Sequence, residues 1–499
     1  MKSERWMLMW IILCSILPSQ VWTNEMRIVR ELWFLKTIDG AFDKEQVHMT
    51  YRTYPWDNGG GYFVWDANST ETPDDGLIVV GYSGNGRWKR VYEGYISPSW
   101  FGALGVSWND DHWPIQYAFD RPEPVKFDKN YYIQAPVRIG LDGKNVDFNG
   151  YQLIGCSTTY QRDAVLEITG SSVCLTNAYI NAWFNNYKCG VHWFSIDSSH
   201  PSANCRIMGL KIDAAIIGLQ YGAFFEDASN DAPMSGNVLY NLTGRNVERV
   251  VQMKQNNNSY LMIRQSILDC MPYEWPSYPT YHVFSDQDAK CAEVWPGKGN
   301  LTIELSEFVK CTSTVGWAAA GPMRVIDCTI EAPTTWFYVN GDLVLENVIG
   351  YCNTTSRAWL ELAPSVSGTC RISGAYVYRP VGSIGSTGDI IYGPSADPNY
   401  RVWIKNSKFE GWDAHHLYAA GGPALVDATN TEFPNTSDSF GKPFIRRFAS
   451  GTLNVNRNGT PQGVIAAPVG SQCIRTNGGV GTSLYIKELG TGTTGWRAK

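Results

Sequence analysis

The densest run of groups able to do chemistry is PYEWPSYPTYHVFSDQDAKCAEVWPG, residues 272–297, with Glu274, Trp275, Tyr278, Asp286, Asp288, Lys290, Glu293 and Trp295. A second acidic run, GAFFEDASND, supplies Glu226, Asp227 and Asp231. Hydrolysis of a glycosidic bond needs two carboxyl groups, one protonated to donate to the leaving oxygen and one ionised to activate water or attack directly. Tryptophan and tyrosine offer flat apolar faces on which sugar rings can stack. The expected acidic centre is therefore Asp286, Asp288 and Glu293, joined by Glu226 or Asp227. The expected sugar platforms are Trp275, Tyr278, Trp295 and Trp193.

Other readings of the same residues stay open. Asp and Asn in loops cap turns by bonding their own backbone, Asp286-x-Asp288 could open a calcium loop although the further spaced oxygen ligands are missing, and the tryptophans could pack against a neighbouring subunit. A lyase would instead need a Lys, Arg, His or Tyr base beside a uronate carboxylate. His192, Lys188 and Lys290 are the nearby residues for that role, without a specific motif. No GxxxxGK[ST], GxSxG or HExxH sequence occurs, and no cofactor or metal is expected.

The elements that must position these groups show as an internal repeat. Inward-type residues recur at i, i+2, i+5 and i+7 with a turn-former at i+4. Clear copies start at Val173, Cys205, Met323, Cys370 and Val402, and looser ones at Val146, Val238, Leu261, Leu301, Leu343 and Ala424. The i+4 residues are Gly150, Asn177, Gly209, Leu242, Gln265, Leu305, Asp327, Asn347, Gly374, Asn406 and Ala428, mostly types that tolerate a left-handed backbone. Alternation, a one-residue corner and alternation again means two short strands meeting at an angle with side chains pointing inward. Starts 20 to 40 residues apart suit one coil of a parallel β-solenoid per copy. Eleven coils at about 4.8 Å give a rod on the order of 50 Å. The largest insertions follow Val173, Cys205, Leu261 and Cys370, and must protrude sideways as groove walls. A β-sandwich or propeller is the alternative architecture.

Composition agrees with an all-β chain. Charged residues are 18% of the 499, against 48 Gly, 20 Trp and 27 Tyr. The net charge of −6 argues against a phosphate-tracking nucleic-acid binder. The 12 cysteines include no CxxC and fall largely on apolar strand positions, so free thiols are expected rather than a disulfide frame or zinc site. Met7–Leu17 is apolar, follows Lys2 and Arg5, and is too short to span a bilayer. It reads either as a leader or as sequence ahead of a true start at Met26.

Upstream of the repeat, residues 59–105 read as a small β-module with exposed tryptophans. Its GGGYFVWD, the Asp74–Gly76 DDG, GRWKR and WFGALG together resemble the N-terminal connector of bacteriophage tailspikes of the pectate-lyase-like superfamily. In that family a glycine/aspartate segment and a short solenoid-capping helix follow. Here GVSWNDDHWPIQYAFD keeps Asp110-Asp111, Ile115-Gln116 and Ala118 but puts Val106-Ser107-Trp108 where glycines are usual, and Pro114 would have to sit in the first helical turn. Residues 459–499 look like a short module found at the ends of phage tail proteins.

The resemblance implies a right-handed parallel β-helix with a small N-terminal β head and a short C-terminal β module. The expected divisions are 1–25 as leader or misassigned start, 26–98 head, 99–450 β-helix and 451–499 C-terminal module. It further implies a homotrimeric virion tail protein whose head joins the phage tail or baseplate, and whose flank or inter-subunit groove binds and often cuts a bacterial surface polysaccharide. Hydrolysis is the expected reaction. A non-catalytic receptor-binding tail protein and a secreted polysaccharide lyase are the rivals, with no membrane span in any of the three.

Overall fold

The computed structural model describes residues 26–156 without a break and then the strands and corners of the chain to residue 499. Outside the described residues lie 1–25, 157–163, 183–188, 223–233, 255–259, 270–289, 295–299, 310–313, 319–321, 333–334, 353–358, 364–367, 379–390, 393–399, 411–417, 420–424, 432–443, 448–451 and a few single positions. The chain forms two compact units, one running to Glu93 and including Trp100–Gly102, the other comprising Gly94–Ser99 and Ala103–Lys499.

In the first unit the strands lie in the order Arg27–Val29, Gln46–Met49, Gly61–Asp66, Arg87–Arg90, Ile78–Val80, antiparallel except for the first pair. Alternation in Gly61–Asp66 sends Phe63 and Trp65 inward, where they meet Leu35, Val47, Val79 and Trp88. The tryptophans of GGGYFVWD and GRWKR are thus core residues, contrary to the expectation of exposed rings. Trp65 and Trp88 sit 5.0 Å apart and the Trp88 indole N–H donates to the Ile38 carbonyl at 3.0 Å. Solvent instead sees Trp33 and Trp56.

The four motifs behind the resemblance converge on one buried arginine. Arg90 donates to the carbonyls of Gly59, Gly60 and Gly76 at 2.7, 2.6 and 2.7 Å, and lies 4.6 Å from the ring centres of both Phe63 and Trp100. Asp74 Oδ1 completes the turn by accepting from the amides of Gly76, Leu77 and Ile78. Carbonyl bonds and two aromatic faces satisfy the guanidinium without a carboxylate partner in direct contact, so these motifs hold the module together.

The second unit opens with the expected helix, His112–Phe119, with Pro114 in its first turn. Buried Asp111 draws the preceding chain onto it, accepting from the amides of Leu104 and Gly105 at 2.7 and 3.0 Å and from Tyr132 at 3.2 Å. Burial raises the Asp111 carboxyl above the usual range, against those bonds. Past the other helix end, buried Lys144 donates to the Ala118 carbonyl, which the helix leaves without a partner, and to the carbonyls of Arg121 and Glu123 in the chain beyond it.

Beyond the helix the chain winds as a right-handed parallel β-helix of three sheets. The first begins at Val125–Lys126 and runs in parallel to Phe444–Arg447; the second and third each contain 11 parallel strands. The period-2 template places one apolar side chain above another. Leu175, Ile207, Leu239, Ile263, Ile303, Val325, Leu345, Ile372 and Ile404 share one register position and are all buried. Fully burying each such side chain contributes roughly 1.5–3 kcal/mol, so the interior stack holds successive rungs in register. Seven described cysteines, Cys205, Cys328 and Cys370 among them, are free thiols. Among the described residues no helix is long and apolar enough to cross a membrane.

Nine of the eleven expected corner residues carry positive φ, from Asn406 at 48° to Gly150 at 81°. Asparagine also ties neighbouring corners, as where Asn177 Nδ2 donates to Asp147 and Asn347 Nδ2 to Asp327, at 3.1 and 3.0 Å. The two exceptions are register corrections. The turn is at Asn241, not Leu242, so that copy starts at Asn237 rather than Val238. It was hidden because its inward residue is polar. Asn237 is fully buried, with Oδ1 accepting from the Cys205 amide and Nδ2 donating to the Ser202 carbonyl and the Tyr221 hydroxyl at 2.8–2.9 Å. The last turn is Asn430, not Ala428, which moves that start from Ala424 to Val426.

The coil ends in a small β module. Leu453–Arg457 turns antiparallel to Phe444–Arg447, and Leu453, Val455, Ile465, Cys473, Tyr485 and Trp496 form a separate core.

Candidate functional site

Connectivity decides where a site can be built. Passage from the first sheet to the second takes two residues on nine coils, the first of them left-handed, so up to residue 424 the long insertions border the third sheet, while residues 430–443 join two strands of the first sheet. Residues 270–289 enter it ahead of Lys290–Val294, whereas 223–233 follow Ile217–Gly222 on leaving it. The insertions after Val173 and Cys370 likewise join strands of the second, third and first sheets in that order. The third sheet is a floor with insertions on entry to and exit from its strands: in chain order Asp286 and Asp288 precede Lys290–Val294, and Glu226 and Asp227 follow Ile217–Gly222.

That floor carries a polar column. Glu167, His192, Gln220, Gln252, Glu293, Trp317, Tyr338, Glu361 and Tyr392 occupy one register position on successive strands. Each alternates with residues whose described side chains face the interior, such as Val191, Leu219 and Val251. His192, Gln220 and Gln252 are nonetheless buried. At the low end, Arg138 Nε donates to Glu167 at 2.7 Å and the His192 ring stacks on Phe194 at 4.1 Å. Of the described column residues, Glu167, Tyr338 and Glu361 are partly exposed and within reach of a ligand.

The column does not hold two carboxylates at hydrolytic spacing. Glu293 stands three rungs from Glu361 and four from Glu167, about 14 and 19 Å at the strand spacing, beyond the ~5–9.5 Å of paired glycosidase carboxyls.

Of the expected site residues, Glu293 has its backbone register in the column, while its side chain lies outside the described atoms. Asp286, Asp288, Trp275, Tyr278, Trp295, Glu226 and Asp227 lie outside the described residues, as does Lys188. Trp193 is corrected. It alternates with His192, so it faces the interior, where it is fully buried, donates from its indole N–H to Ser202 Oγ at 2.8 Å and meets the Tyr221 ring edge-on at 5.4 Å. No sugar can stack on it. Burial also drives the Tyr221 phenol far above its ordinary pKa, keeping it a neutral donor in that core.

Gln220, Gln252, Trp317, Tyr338 and Glu361 escaped the sequence reading. Their signal is a third element in each coil, an apolar-x-apolar triplet with a polar or aromatic centre: VHW, LQY, VQM, AEV, GWA, FYV and LEL. Its distance from the repeat start varies with the insertions, which hides it from a fixed-spacing search.

Residues 33–93 match the family model described as the phage tail protein small four-stranded β-sheet domain. Four of the five strands of the first unit fall within that match. Among solved structures, the enzymatically active domains of bacteriophage CBA120 tailspike proteins 2 and 4 superpose with TM-scores of 0.50 and 0.51, at 13% and 14% identity over 84% and 86% of this chain. The coil has the tailspike fold. The chain spans 60% and 56% of those two proteins. A weaker likeness, TM-score 0.48 at 11% identity, covers 85% of this chain and 74% of a tailspike from Acinetobacter baumannii bacteriophage Fri1, which is described as a capsular polysaccharide depolymerase.

Proposed function

We propose that this chain is a phage tailspike that binds a bacterial surface polysaccharide along the third sheet and depolymerises it by glycosidic hydrolysis. In this reading it acts as a homotrimer in the virion tail, at the bacterial surface, attached to the tail through the head module. The observation that carries the reading is the meeting of two features on one face: the long insertions up to residue 424 border the third sheet, and that sheet bears the column from His192 to Glu361, in which Tyr338 and Glu361 are partly exposed. The phage tail match over 33–93 ahead of a tailspike-type coil supports the virion setting.

Glu293 is the first of the two carboxyls. Its partner is Asp286 or Asp288, rooted just ahead of its own strand, or Glu226 or Asp227 across the floor. Trp275, Tyr278 and Trp295 are the sugar platforms. Glu293→Gln and the Asp286→Asn/Asp288→Asn pair should each lower release of reducing ends from host glycan by at least about 100-fold while binding of the polysaccharide persists. Unchanged turnover in Glu293→Gln removes it from the mechanism. Unsaturated, ultraviolet-absorbing products would replace hydrolysis with elimination, for which His192 is the described base in the column. Binding without product release at any enzyme concentration would leave a receptor-binding protein.

A further inference from the structure

A second recess lies on the outer face of the first sheet, apart from the third-sheet floor. It encloses about 360 Å³ between Glu346, Arg371, Ser373, Trp403 and Lys405 over Val344. That is the lower end of the range of small-molecule sites. The register makes it: Val344, Arg371 and Trp403 stack at one position on three successive rungs, and Glu346, Ser373 and Lys405 at the position two residues on. Small Ser373 between longer neighbours leaves the hollow.

Its chemistry is specific. Trp403 is half-buried and supplies a flat wall, with the Arg371 guanidinium carbon 5.5 Å from its ring centre. Glu346, the carboxylate in the lining, already faces Arg324 at 3.9 Å. Among the described residues neither Arg371 nor Lys405 has a carboxylate within 4.0 Å, and both are exposed. Arg401 adds a further exposed cation on the Trp403 strand, and Asp427 a carboxylate at the Trp403 register position one rung on. In a chain of net charge −6 this is a local cationic patch beside an aromatic face. Guanidinium takes a carboxylate by two parallel hydrogen bonds, and an indole face takes the apolar side of a pyranose ring.

We propose that this recess is a subsite for an acidic sugar, a hexuronate or sialate unit whose carboxylate pairs with Arg371 and Lys405 while its ring lies on Trp403. It recognises glycan without cutting it, because Glu346 is the one carboxylate in its lining and hydrolysis needs two. The site is independent of whether the third-sheet floor hydrolyses.

The full-length protein is titrated with D-glucuronic acid, N-acetylneuraminic acid and D-glucose, followed by tryptophan fluorescence and saturation-transfer NMR. At least one acidic sugar should bind in the millimolar range, D-glucose at least ten-fold more weakly, and Arg371→Gln and Trp403→Ala should each weaken the acidic sugar ten-fold or more. Raising salt from 50 to 500 mM should weaken it several-fold. Thermal melts test whether both variants remain folded; Lys405→Gln, an exposed change, serves if either does not. Equal affinity for glucose overturns the proposal, as does acidic-sugar binding that Arg371→Gln leaves unchanged. If the acidic sugars do not bind, and Arg371→Glu changes the sedimentation mass, the recess is an interface between copies and the proposal also fails. Acidic-sugar binding by Glu293→Gln should equal that of the parent chain, which keeps this result separate from the fate of Glu293.

Discussion

Between the first and second sheets the chain turns in two residues on coil after coil, whereas at the edges of the third sheet the same coils spend up to the twenty residues that separate Asp269 from Lys290. The difference lies in hydrogen bonding. The corner amides belong to the ladder: Asn177 N donates to the Met208 carbonyl at 2.8 Å, Asp327 N to Glu346 at 2.9 Å and Asn347 N to Ser373 at 2.8 Å. A residue added there would take a backbone donor out of line and reverse the facing of the next strand. At the third sheet, ladders end with each strand and the connecting chain can lengthen at small cost. Up to residue 424, variation in length is thereby concentrated at the edges of the third sheet.

The sharpest way to break this comparison is to insert one residue on each side of it. A glycine placed after Asn347 should turn exposed Ile349 inward and buried Val348 out of its stack, at a cost above about 4 kcal/mol. The same glycine after Ser199, in the exposed Asp197–His200 turn at a third-sheet edge, should cost less than about 1 kcal/mol. Urea unfolding measures both. Equal losses would mean that corner and edge are held alike, and that insertions border the third sheet for some other reason.

Corner and edge also differ in how much a reader of the sequence could see. Corners repeat at a fixed offset from apolar pairs, so Asn177, Gly209, Asp327 and Asn347 were legible from type and spacing. Gln265 and Leu305 were legible from spacing alone, since the stack imposes their conformation. The reading slipped where a polar residue faced inward, at Asn237, because its compensation comes from Ser202 and Tyr221 on other parts of the coil. It slipped again at Trp193, whose type suits sugar stacking but whose facing follows from His192 next to it. The third-sheet column was invisible to a search at constant period. Locating Gln220 or Gln252 required knowing which strand each triplet pairs with.

Inside the third sheet, Trp193→Ala should cost about 3–5 kcal/mol through the cavity left beside Tyr221, with glycan affinity per folded molecule unchanged. A large affinity loss with little loss of stability would restore Trp193 as a platform. Asn237→Ala comes next, at about 1–3 kcal/mol. It leaves the Cys205 amide and the Ser202 carbonyl without that partner in a buried setting, and Tyr221 with carbonyls of Met234 and Tyr260 alone. Thermal melts suffice for both variants.

The smallest effect runs the other way. Leu305 holds φ at +50° with its side chain 47% exposed, so it occupies a corner without a buried contact large enough to explain its presence there. A left-handed backbone costs an ordinary residue roughly 1–2 kcal/mol, and asparagine much of that less. The Leu305 amide still donates to the Ile326 carbonyl at 3.1 Å, a backbone bond that substitution leaves intact. Asparagine there would also stand one rung from Asp327, the relation in which Asn347 already donates to that carboxylate from above. Leu305→Asn should therefore raise stability by about 1 kcal/mol, read as a higher urea midpoint at unchanged slope. A fall in the midpoint would mean that Leu305 is covered by a contact in the assembled protein, and that this corner, unlike the others, is chosen for its side chain rather than its backbone.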